Sequence, residues 1–66
     1  MTKEEAIANY TLDANDWRDI AAENFARFDR LTATGEHELA ATFHWHAYNA
    51  LDWANRAENY IAALLA

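Results

Sequence analysis

The chain has 66 residues, eleven acidic against five basic side chains for a formal charge of −6, and neither cysteine nor proline. Those facts exclude disulfides and thiolate metal sites, and they argue against a nonspecific binder of duplex DNA, which should be basic. A domain this short buries only about 60% of its unfolded surface, and with disulfides gone, oligomerisation is the best-supported remedy. No apolar run reaches the ~18 residues of a membrane span. The start Met1-Thr2-Lys3-Glu4-Glu5 lacks the pattern of a signal peptide, so the expectation is a single soluble domain, residues 1–66, in the cytoplasm.

In chain order, Thr2-x-x-Glu5 has the spacing of a capping box and opens a first helical arm near 3–33. Apolar residues recur through it at Ile7, Tyr10, Ala14, Trp17, Ala21, Phe25, Phe28 and Leu31, close to helical period. One stretch, Thr11 to Asp16, weakens the pattern, because Asp13 and Asn15 compete for backbone hydrogen bonds. A kink or a full break both fit there; the break gives a short leading helix near 3–12 and a main helix near 16–33. Gly35 follows as the only glycine and suits a left-handed helix C′ position.

The second arm, near 36–65, has no glycine or proline. Glu36 and Glu38 sit favourably in its first turn. Its seam is Phe43, Ala47, Ala50, Ala54, Ala57, Ile61 and Leu64, spaced alternately four and three. Small residues at the centre of such a seam let two helices approach closely. The predicted fold is all-α: an antiparallel helical hairpin turning near Gly35, assembling into a helical-bundle oligomer.

Beside the alanine seam runs a second stripe: His46, Asn49, Trp53, Arg56 and Tyr60. It combines two aromatic planes, a guanidinium, an amide and an imidazole, which can stack a base, fork to a phosphate and read a base edge. The same residue types dominate protein hot spots, so taken alone the stripe favours an oligomer interface over a ligand site, and one surface can serve both. Trp45 projects nearly opposite the seam, and Trp45, Tyr48, Trp53 and Tyr60 are the candidate interface. Arginines are few: Arg18, Arg27 and Arg30 on the first arm and Arg56 on the second. Arg18 and Arg27 join the stripe as candidate anion ligands, since the same arginines recur at every subunit junction of an oligomer.

Metal and catalysis find little support. His44 and His46 point about 200° apart on a helix, and His37 and His44 lie about 10 Å apart along it, short of a converging site. There is no cysteine or serine nucleophile and no Gly-rich phosphate loop. Asp16, Asp19 and Glu23, beside Arg27 and Arg30, read as a solvated charge ladder. The expectation is no enzyme, no cofactor and no metal.

At Ala50-Leu51-Asp52-Trp53-Ala54-Asn55-Arg56-Ala57 the chain resembles the helical-hairpin sponges of phages, the anti-CBASS family that sequesters cyclic nucleotides. That family carries Ala-aliphatic-x-Trp-Ala-Asn-x-Ala late in its last helix. Ala50, Leu51, Trp53, Ala54, Asn55 and Ala57 match, and a looser architectural likeness spans 16–63. The resemblance implies an oligomer of hairpins whose junctions hold cyclic di- or trinucleotides without turnover, in the cytoplasm of an infected bacterial host. The chain departs from the pattern at Thr34-Gly35, where the family has a longer proline-containing link, and at His44, Trp45 and His46. The alternative from charge alone is an acidic interaction module or inhibitor, a nucleic-acid mimic docking on a basic partner.

Overall fold

The computed structural model describes all 66 residues as two antiparallel helices, α1 (Lys3–Ala33) and α2 (His37–Leu65). The hairpin is a rod 49 × 14 × 13 Å, nearly equal in its two short directions. At the start of α1 the Glu5 amide donates to the Thr2 hydroxyl oxygen over 3.1 Å, and that hydroxyl donates to the Glu5 carboxylate, also at 3.1 Å. The cap therefore forms between the residues whose spacing announces it.

α1 runs unbroken through Thr11–Asp16, where a kink or break was expected. Two observations account for it. The Thr11 hydroxyl donates to the Ile7 carbonyl within the helix, 2.8 Å away, rather than capping a new one. Asp13, Asn15 and Asp16 face solvent with no hydrogen bond to the backbone, while Ala14 between them is buried against α2. Packing on one face outweighs the local preference of these residues for cap positions.

The turn is a Schellman motif. Gly35 sits at φ +83°, its amide donates to the Thr32 carbonyl (3.1 Å), and the Glu36 amide reaches back to the Leu31 carbonyl (2.9 Å). Glu36 is the N-cap residue of α2 rather than part of its first turn, so Glu38 alone supplies the acidic first-turn charge. The Glu36 carboxylate instead lies 3.1 Å from the Thr34 hydroxyl, bracing the loop.

The core is made of alanine. The fully buried residues are Ala14, Ala21, Ala40, Ala47, Ala50, Ala54 and Ala57, and no polar side chain is buried with them. With methyl groups as the only side chains between them, the two backbones can approach closely over most of their length. Ile7, Phe28, Phe43, Ile61 and Leu64 are half-buried toward the two ends. Larger aromatics therefore cannot enter the seam. They line its two edges, which is what places the functional candidates.

Candidate functional site

Because the helices are antiparallel with equal rise, residues on opposite arms lie level when their numbers sum to about 70, twice the position of Gly35. Tyr10 and Tyr60 stack with ring centroids 5.2 Å apart and planes 20° apart. Trp17 and Trp53 stack at 5.9 Å and 21°. The Arg56 guanidinium lies 4.7 Å from the centroid of the Trp53 ring, a cation–π contact. Tyr10, Asp13, Trp17, Trp53, Arg56 and Tyr60 wall a groove of about 510 Å³ floored by Ala57.

Beyond the tryptophans the same edge continues toward the turn as a second hollow of about 410 Å³. It is formed by Trp17, Ile20, Asn24, Trp45, His46, Asn49, Ala50 and Trp53. Trp45 stands edge-on to His46, with centroids 5.2 Å apart, and the Asn24 amide is spent on the Ile20 carbonyl at 2.8 Å. The stripe His46–Asn49–Trp53–Arg56–Tyr60 is thus one continuous surface, and α1 supplies its other wall.

The remaining candidates lie elsewhere. Arg18 sits on the opposite edge, ion-paired with Glu58, away from Arg56. Arg27 lies 5.5 Å over the Phe43 ring near the turn, in a separate hollow of about 350 Å³ shared with Arg30, Leu31, Thr34, Glu36 and Leu39. Tyr48 is also on the opposite edge, edge-on to Phe25 at 5.4 Å and 4.7 Å from His44. Tyr48 therefore does not share a surface with Trp53 and Tyr60. His44 packs among Phe25, Phe28 and Tyr48, apart from His46, and no three His, Asp or Glu side chains converge on a common point.

Tyr10, Asp13, Trp17, Ile20 and Asn24 of α1 line the site and are not among the candidates drawn from the sequence. The signal was present: Tyr10, Trp17 and Asn24 repeat every seven residues, as His46, Trp53 and Tyr60 do, and the two sets mirror each other about Gly35. Chemically, the groove and the hollow beside it offer stacking planes, the Arg56 guanidinium, one carboxylate and two amides. It holds no nucleophile next to a base.

Comparison with protein-family models, with curated proteins and with solved structures finds no match to this chain. No helix is long and apolar enough to cross a membrane.

Proposed function

We propose that this chain is a homo-oligomeric sponge that binds a cyclic di- or trinucleotide messenger without turning it over, acting in the cytoplasm of an infected bacterium. The observation that carries the reading is the Trp17–Trp53 stack with Arg56 over it, set in a groove closed by the Tyr10–Tyr60 pair. A base stacked on an exposed aromatic is worth about 1–3 kcal/mol. Arg56 is free of any carboxylate in the hairpin and can exchange the Trp53 ring for a bidentate fork to phosphate. Asp13 can accept from an exocyclic amine, and Asn49 and His46 stand at the next level for further base edges.

The net charge of −6 opposes a dianionic ligand at long range, but salt near 0.15 M screens charges beyond about 8 Å. Two stacked bases at about 1–3 kcal/mol each and one charge-assisted fork at about 1.5–3 kcal/mol sum to roughly 3.5–9 kcal/mol, whose upper part reaches the about −8 kcal/mol of a micromolar complex when the groove is already ordered. Calorimetry against cyclic di- and trinucleotides tests this. Reversible binding, loss of affinity in Arg56→Ala, and return of the intact nucleotide after denaturation are expected; no heat and no thermal stabilisation with any of them would refute it.

A second reading has its own support. Asp16, Asp19 and Glu23 stand exposed on α1 without an ion-pair partner, as an acidic surface docking on a basic protein requires. On that reading, function survives Arg56→Ala and is lost when these carboxylates are neutralised. Pull-down of host proteins by wild type and neutralised variants separates the two.

A further inference from the structure

The surface of the hairpin is 4777 Å², whereas a compact monomer of 7.6 kDa exposes about 4,300 Å². Part of the exposed apolar surface lies on the groove edge. Trp45, Trp53 and Tyr60 are 64%, 49% and 58% exposed. At roughly 150–250 Å² per aromatic side chain, these three leave about 350 Å² open. Ile20, also exposed on this edge, adds to that area toward the ~500 Å² per copy at which specific interfaces begin.

Charge then selects how a second copy sits. Asp13 and Arg56 are level with each other and wall the same groove, yet the hairpin leaves both without an ion-pair partner; Arg18–Glu58 is the only ion pair. Two two-fold arrangements lay this edge on itself with the tryptophans of the two copies level. A two-fold axis parallel to the helices sets α1 of one copy against α2 of the other with levels matched. Tyr10 then faces Tyr60, Trp17 faces Trp53, and Asp13 faces Arg56. A two-fold axis across the helices, centred on the tryptophans, instead sets each helix on its own copy and runs Asp13 onto Ile20. That buries a carboxylate against an apolar side chain with no partner, which is costly.

We infer that the Trp17–Trp53 edge is a self-complementary interface, and that two hairpins pair through it about an axis parallel to their helices. The product is a four-helix bundle with Asp13 of each copy paired to Arg56 of the other. The interface shares its face with the groove proposed above as the ligand site and engages the same Asp13 and Arg56, so a nucleotide entering that groove competes with the pairing of the two copies. The dimer itself stands on exposure and charge, without reference to any ligand.

The test needs no nucleotide, so its failure and the failure of the ligand reading are told apart. Light scattering of the wild type at micromolar concentration should give twice the 7.6 kDa chain mass. With no native cysteine, any thiol cross-link between single-cysteine chains joins two copies. An equal mixture of D13C and R56C should be joined by a short thiol-reactive cross-linker, and each variant by itself should not. D13R and R56D should each weaken the dimer about tenfold or more by placing like charges opposite one another, and the double swap should restore it. Both positions are exposed, so circular dichroism should show the helices intact throughout. A monomer would overturn the inference, and so would D13C joining to I20C in preference to R56C.

Discussion

Ala54 is the place to test whether close approach of two alanine faces holds this hairpin together. Its side chain is fully excluded from solvent, and Ala14, Ala21, Ala47, Ala50 and Ala57 make up the same buried seam. Ala54→Leu adds three carbons where no void exists to receive them. Either the leucine takes a strained rotamer or the helices separate locally and loosen neighbouring alanine contacts. Overpacking of this kind costs about 1–3 kcal/mol. For a chain of this length, total stability is on the order of 3–10 kcal/mol, so the loss is a large share of it. In urea, with a slope near 1 kcal/mol/M for so small a protein, the midpoint should fall by about 1–3 M with the slope unchanged. Protein concentration must be held fixed, because assembly adds to apparent stability. Ala62→Leu, on the exposed side of α2, serves as the control and should leave the midpoint within a few tenths of a molar unit. If Ala54→Leu unfolds at the wild-type midpoint, the helices are not closely packed there and the account of the core is wrong.

Trp53→Ala removes a ring that is about half buried, stacked on Trp17 and covered by Arg56; the loss should be about 3 kcal/mol, read by thermal circular dichroism. Gly35→Ala meets no steric neighbour, so its penalty is only the left-handed backbone, about 1–2 kcal/mol by urea titration; a neutral result would mean the turn does not hold φ +83°. Arg18→Ala breaks an ion pair whose two side chains are nearly half exposed, so it should cost less than about 1 kcal/mol, shrink further in high salt, and leave nucleotide calorimetry unchanged. A clear loss of nucleotide binding in that variant would move the anion site to the opposite edge.

Much of the hairpin was legible in the sequence because the forces that make it are local. The cap at Thr2 and Glu5 and the left-handed turn at Gly35 depend on residues a few positions apart. The alanine seam of α2 follows from helical spacing alone, and four of its members, Ala47, Ala50, Ala54 and Ala57, are fully buried. Ala40, one turn before Phe43, belongs to the same buried seam.

Whether Thr11–Asp16 breaks the helix was not legible, because local preferences there are nearly balanced and the burial of Ala14 against α2 tips them. Nor was the grouping of site residues. Helical spacing joins His46, Asn49, Trp53, Arg56 and Tyr60, but it is silent on which edge of the pair Arg18, Arg27 and Tyr48 occupy. That depends on how α1 is rotated about its axis when Ala14 and Ala21 dock, a long-range choice. The rotation that buries those two methyl groups turns Tyr10 and Trp17 to the side of Tyr60 and Trp53, and sends Arg18 to Glu58 on the other.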